Sequence, residues 1–183
     1  MTQVMSDLPS RRLDITETPF THTGIDVFGP FYVKYKRSQI KRYGIIFTCL
    51  VMRAVHIEMG ADLSVDSFIN ALRRFLARRG RVSSLSCDNG TNFRGASTEL
   101  AKAVDSWNCG QTHHFLNNYC IEWHFNPPYS SHFGGVWERL IRSIRSILTI
   151  TMKEQILNED QLSTLFCEAE AIINGRPLTS LSV

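Results

Sequence analysis

No apolar run in this sequence is long enough to cross a bilayer. The longest nearly uninterrupted one, Gly44 to Met52, falls far short of the roughly 20 residues a spanning helix needs, so no membrane partner is expected. The opening Met1-Thr2-Gln3-Val4-Met5-Ser6-Asp7 lacks the basic-then-apolar pattern of a secretory signal. An intracellular chain, or an internal piece of a longer one, is the expectation. Cysteine is sparse: there are 5, never in a CxxC pair, which excludes a disulfide framework and suits a reducing compartment. Cys109, His113, His114 and Cys120 lie close together, but at spacings that match no zinc finger, and a helix with buried cysteines accounts for them as well. Low-complexity tracts and internal repeats are missing too. Neither sign of charge dominates, with 20 Lys and Arg against 17 Asp and Glu.

What is present is an ordinary globular composition, 43% apolar and 20% charged over 183 residues, enough for one domain with a real core. Residues 1–19 are polar and aperiodic and read as a linker or arm, leaving 20–183 as a single domain. The cations are clustered. Lys34, Lys36, Arg37, Lys41 and Arg42 lie in a basic turn, Arg73, Arg74, Arg78, Arg79 and Arg81 follow one helical pattern, and Arg139, Arg142 and Arg145 follow another. Such runs are usually solvated faces, and three of them permit a polyanionic partner.

The periodicities predict the order βββαβααβαα. Phe20 to Phe28 reads as a strand closed by Gly29-Pro30, followed by a hairpin of Tyr43–Leu50 and Arg53–Met59. His56 and Glu58 alternate with apolar neighbours there and are expected to face solvent. Ser64 is placed to cap a helix whose stripe is Val65, Phe68, Ile69, Leu72, Phe75 and Leu76, ended by Gly80. A short strand, Val82–Cys87, leads into Asp88-Asn89-Gly90. Helices over 96–107 and 111–119 precede a fifth strand, Ile121–Phe125. The loop after it, with Pro127, Pro128, Gly134 and Gly135, enters a helix with Leu140, Ile141, Ile144, Ile147 and Leu148 on its apolar face and Glu138 in its first turn. Asn158 and Gln161 form a capping box for the last helix, with Leu162, Leu165, Phe166, Ala169, Ile172 and Ile173 as its stripe. Three consecutive strands, then strands alternating with helices, predict an α/β fold: a five-stranded mixed sheet with helices on both faces.

Three acids differ in context from the solvated charges. Asp26 interrupts an apolar strand, where a carboxylate is costly unless paired or metal-bound. Asp88 makes a good turn residue, but it also ends a core strand, where open α/β sheets place ligands. Glu138 alone would be a favourable charge on a helix dipole. Together, such hard oxygen ligands suit Mg²⁺ or Mn²⁺, and two ions on a shared carboxylate serve in-line displacement at phosphorus.

Gly24-Ile25-Asp26-Val27-Phe28-Gly29-Pro30, Cys87-Asp88-Asn89-Gly90-Thr91-Asn92-Phe93, and Glu122-Trp123-His124-Phe125-Asn126-Pro127-Pro128-Tyr129-Ser130 with Gly135-Val136-Trp137-Glu138 resemble the catalytic core of retroviral and retrotransposon integrases, the BEL/Pao type above all. The resemblance covers nearly the whole chain. It implies a ribonuclease H-like fold and a metal triad of Asp26, Asp88 and Glu138 holding two Mg²⁺ or Mn²⁺ ions, with Asp26 shared. It also implies contacts to DNA from Arg139, Arg142, Arg145, Asn92, Tyr129 and His132, and a mobile loop from Tyr129 to Gly135. The implied activity is trimming of the element's 3′ ends followed by their joining to target DNA. That work is done by a homo-oligomer, in the nucleus, from a polyprotein product of cytoplasmic virus-like particles. Ser131 and His132 depart from the retroviral pattern, and the stretch from Asp88 to Glu138 is longer, with extra residues around Asn108 to Gln111. The flanking zinc-binding and carboxyl-terminal DNA-binding modules are not in this sequence, as expected of an excised core. Two alternatives stay open: a nuclease of the same fold, for which Asp66 is the one added acid, and a domesticated or degenerate copy that only binds DNA or dimerises.

Overall fold

The computed structural model describes residues 18–87, 102, 106–107, 109–125, 131–152 and 156–176, and of 125, 131–138 and 152 the backbone alone. Its elements are β1 (His22–Tyr35), β2 (Ser38–Cys49), β3 (Val55–Gly60), α1 (Val65–Arg79), β4 (Ser84–Cys87), α2 (Gly110–Asn118), β5 (Glu122–Phe125), α3 (Ser131–Met152) and α4 (Glu159–Asn174). The five strands form one sheet in the order β3-β2-β1-β4-β5. β1, β2 and β3 are antiparallel neighbours, while β4 and β5 run parallel to β1. A mixed sheet covered on both faces is the predicted architecture.

Strand alternation assigns the two faces. Ile25, Val27, Ile45, Phe47 and Leu85 point to the side of α1, where they pack with Phe68, Leu72 and Phe75. Phe28, Ile46, Val55 and Ile57 point to the opposite side, against Leu140, Ile141, Ile144 and Leu148 of α3 and Leu162, Phe166 and Ala169 of α4. Trp107 and Leu165 are core residues: both are buried, and Trp107 stacks on Phe68 at 4.4 Å between ring centroids. The half-buried Phe115 packs against the α1-side core.

Both predicted caps form. Ser64 Oγ accepts from the Ser67 amide at 3.2 Å and Gly80 ends α1 at φ 87°, while Asn158 and Gln161 exchange side-chain and backbone bonds at 2.8 and 2.9 Å. Other expectations are corrected. β1 does not close at Gly29-Pro30. It passes through a cis Gly29-Pro30 bond with a register irregularity between Phe28 and Phe31, then continues to Tyr35. A bulge is where a ladder tolerates a residue with no N–H to donate. The basic turn is mostly strand, and its hairpin is held by Lys34 N–H donating to Leu157 C=O at 2.8 Å. Ile172 is 58% exposed, at the margin of its stripe. Cys109 is half-buried and Cys120 exposed. A helix with buried cysteines does not describe them, and no metal-holding group of three or more His, Cys, Asp or Glu occurs among the described residues. Of the predicted 96–107 helix, only 102, 106 and 107 are described, all helical.

His56 and Glu58 are the largest departure. They are 3% and 4% exposed, because α1 covers the face that alternation marks as polar. Glu58 is held by Arg74 (2.6 Å), Arg78 (3.1 Å) and His56 Nε2 (2.8 Å), while His56 Nδ1 lies 3.2 Å from Glu170 of α4. Burial pulls the His56 pKa down, but hydrogen bonds to Glu170 and Glu58 outweigh it and raise the pKa above 6.5. Burial pushes Glu58 and Glu170 up, but their bonds, to His56 first, hold both below 4.5. His56 therefore stabilises the fold below its ordinary pKa, and that contribution is lost as pH rises through its raised value. The glutamates stabilise above theirs, and lose it as pH falls. Urea midpoints are expected to be highest between about pH 4.5 and 6.5 and to fall as the pH rises above that window. His56→Gln should flatten that alkaline fall, and a wild-type midpoint that rises over the same interval would contradict the assignment.

The same cluster closes the free edge of the sheet. Outward-facing groups of β3 are taken by side chains: Val55 N–H and C=O by Asn174 (2.8 and 2.9 Å), Ile57 N–H by Glu170 (2.9 Å), and Met59 C=O by Arg74 (2.7 Å). An edge blocked in this way does not template another strand.

Candidate active site

Asp26 sits within β1, 5% exposed, between the buried Ile25 and Val27 and opposite Ile46 of β2. Its Oδ1 accepts from the Val27 amide at 2.7 Å. Alternation places it with Phe28 on the sheet face that α3 covers. The parallel ladder between β1 and β4 ends with Ile25 beside Cys87. Asp26 is the next residue on one strand, and Asp88 follows Cys87 in sequence. Asp88 itself, Asn92 and Tyr129 lie outside the described residues.

Glu138 belongs to α3, two positions before the buried Leu140. Contrary to the sequence reading, the helix starts at Ser131, so Glu138 lies about two turns inside it, and the expected loop is helical from Ser131 onward. Gly134 and Gly135 each cost a helix about 1 kcal/mol relative to alanine, which makes a loop the natural local reading. The apolar stripe from Leu140 to Leu148, packed on the sheet, holds the helix as a unit. A dipole charge decays beyond the first turn, so the bland account of Glu138 loses its footing. The side chains of Glu138 and His132 are outside the described set. Arg139, Arg142 and Arg145 are exposed, and helical spacing puts Arg142 and Arg145 on the side of Glu138. Asp66 accepts from Gln111 at 2.8 Å, tying α1 to α2. That is a structural role.

The described part of the site thus holds one hard oxygen donor, Asp26, facing a helix that carries a second acid, beside a strand that leads to a third. A carboxylate of this kind fits one ligand position of Mg²⁺ or Mn²⁺, which bind through one or two carboxylates and keep several waters.

No protein-family model matches the sequence, and no curated protein does. Solved structures do. A simian T-cell lymphotropic virus intasome, determined with the PP2A regulatory subunit B56 gamma, superposes with TM-score 0.66 at 17% identity over 90% of this chain. The HTLV-2 integrase catalytic core in complex with magnesium, in its trimeric form, gives 0.62 at 16% identity over 90% of this chain and 91% of its own. The BIV integrase catalytic core gives 0.60 at 13% identity over 88% of each. The fold is that of a retroviral integrase core. The chain spans about half of the intasome chain, 51%, against 91% of the HTLV-2 core. An integrase-core fold accounts for the ribonuclease H-like topology around Asp26. Outside the predicted site it leaves a set of residues that the sequence did not signal: the His56, Glu58 and Glu170 cluster, and Arg53 with Arg176. His56 and Glu58 pair within β3, but the arginines of α1 and Glu170 of α4 that complete the cluster, and the Arg53 carbonyl that Arg176 bonds, lie on remote segments that no local spacing marks.

Proposed function

We propose that this chain is the catalytic core of a DNA-strand transferase from a BEL/Pao-type retrotransposon, cut from a longer polyprotein, with residues 20–183 as its single domain. The observation that carries the reading is the placement of Asp26: a buried acid on the face covered by the Glu138 helix, one residue past the end of the ladder with the strand that leads to Asp88. Asp26, Asp88 and Glu138 would hold two Mg²⁺ or Mn²⁺ ions, with Asp26 shared. When bound, such a pair activates the attacking oxygen and stabilises the leaving one. The chain's own residues do the rest. In this reading Asp26 would share the metals with Asp88, which follows β4 in sequence, and with Glu138, carried by α3, while the apolar packing around Asp26 keeps bulk water from it. Arg139, Arg142 and Arg145, with Asn92, Tyr129 and His132, contact DNA and set its register. The reaction is hydrolytic trimming of the element's 3′ ends, then attack of those hydroxyls on target DNA, by a homo-oligomer acting in the nucleus.

The test is a joining assay with a labelled donor-end duplex and target DNA in Mn²⁺, wild type against Asp88→Asn. Joined products in the wild type that vanish in the variant are expected. Cleavage without joining would support a nuclease, and equal inertness on a branched disintegration substrate a binding module.

A further inference from the structure

Three arginines from three different elements converge on the flank of α3. Arg53 stands in the turn between β2 and β3, Arg176 follows the end of α4, and Arg139 lies on α3. With Leu140 and Ser143 they line an open hollow of about 300 Å³. Two of the three are on a fixed frame. Arg176 donates to the carbonyls of Arg53 (2.9 Å) and Ile173 (2.5 Å), and Asn174 bonds both the N–H and the C=O of Val55. The turn and the end of α4 are therefore tied together.

Arg42, Arg74, Arg78 and Arg79 are each matched by a glutamate. No described carboxylate ion-pairs with Arg53 or Arg176. Burial and the neighbouring charges of Arg139 and Arg176 work against the protonated form of Arg53, so the fold places like charges together at a cost that an anion would offset. Guanidinium N–H groups converging on one hollow suit a tetrahedral oxyanion.

We propose that Arg53, Arg139 and Arg176 form an anion site that holds a backbone phosphate of the DNA on which Asp26 acts. The proposal rests on the strand-transferase reading and adds a second grip to it. Arg142 lies one turn farther along α3 than Arg139, and Arg53 and Arg176 come from other elements, so this site extends the strip of Arg142 and Arg145 around the flank of α3. The β2–β3 turn also lies toward the end of the sheet where β1 begins, with Thr23 beside Cys49, so the phosphate held here is displaced along the sheet from Asp26.

Arg53→Asn is the decisive variant. Arg53 has φ 60°, a left-handed conformation that asparagine tolerates well, so the charge is removed without strain. Two measurements are made on wild type and variant. Duplex DNA binding is followed by fluorescence anisotropy across a salt series, and thermal melting is compared in inorganic phosphate and in chloride at equal ionic strength. The expected result is an affinity loss of roughly tenfold or more, a salt slope shallower by about 1, and a phosphate-dependent rise in Tm in the wild type alone. Unchanged affinity and slope in Arg53→Asn would overturn the site while leaving the strand-transferase reading intact. Phosphate stabilisation in a wild type that binds no duplex would overturn the DNA assignment together with the function it rests on. Should Arg53→Asn melt early in chloride, Arg139→Gln, at an exposed helical position, replaces it in both measurements with the same expected results.

Discussion

Asp26→Asn is expected to lower joining by at least about 100-fold, the upper end of the roughly 10–100-fold loss that removing even an outer partner of a metal site produces. The same substitution should abolish the stabilisation of the protein by Mn²⁺. The two readouts separate a ligand from a structural residue. Asparagine has nearly the shape of aspartate and keeps an oxygen that can accept the Val27 amide, bonded at 2.7 Å in the wild type, so the strand is expected to stand. What disappears is the negative charge that a hard cation requires. At about 100 times its Kd, an ion that binds only the folded state adds roughly 2.7 kcal/mol, which for a chain of this size raises Tm by roughly 5–10 °C. Differential scanning fluorimetry with and without Mn²⁺ measures it, with EDTA reversing the shift. Equal Mn²⁺ shifts in wild type and Asp26→Asn would remove Asp26 from the metal set, whatever happened to joining.

Phe28→Ala should cost about 3–5 kcal/mol, the range for truncating a buried aromatic ring. Phe28 is completely buried two residues beyond Asp26 on the same face, with its ring centroid 5.7 Å from those of Phe31 and Phe166. It is registered opposite Gly44, and the fit is tight: a Cβ on Gly44 would fall 2.3 Å from the ring's Cζ and 2.5 Å from Cε1. Glycine is needed there because the ring occupies the space a side chain would fill. Gly44→Ala should accordingly destabilise by about 1–3 kcal/mol through overpacking. In the double variant Phe28→Leu, Gly44→Ala, the smaller side chain makes room, and the loss should be less than the sum of the two singles. Urea unfolding of the four proteins in that cycle measures the coupling. Strict additivity would show that Gly44 is not answering to the ring. Because Phe28 shares a strand and a face with Asp26, its truncation should also reduce joining in protein that is still folded.

Much of this was legible in the residues, and its character explains why. Ser64 with Gly80, and Asn158 with Gln161, announce helix ends because their bonds span three or four residues and are satisfied within the segment itself. The alternation of Ile25, Asp26, Val27 and Phe28 states that Asp26 faces away from its apolar neighbours, since successive side chains on a strand point to opposite sides. The same alternation does not say what covers each side. On β3 it suggested solvent for His56 and Glu58, and α1 lies there instead, with arginines that make burial of those charges tolerable. The start of α3 at Ser131 was hidden by two glycines whose local preference is outweighed by packing farther along the helix. Arg53 and Arg176 carry no mark at all in the sequence. They meet only because the turn after β2 and the end of α4 are brought to one corner, and Asn174 pins them there. Local hydrogen bonds and strand parity are short-range properties that a linear chain displays. The approach of remote segments, which puts Asp26 under the Glu138 helix and three arginines around one hollow, comes from burying two faces of one sheet at once.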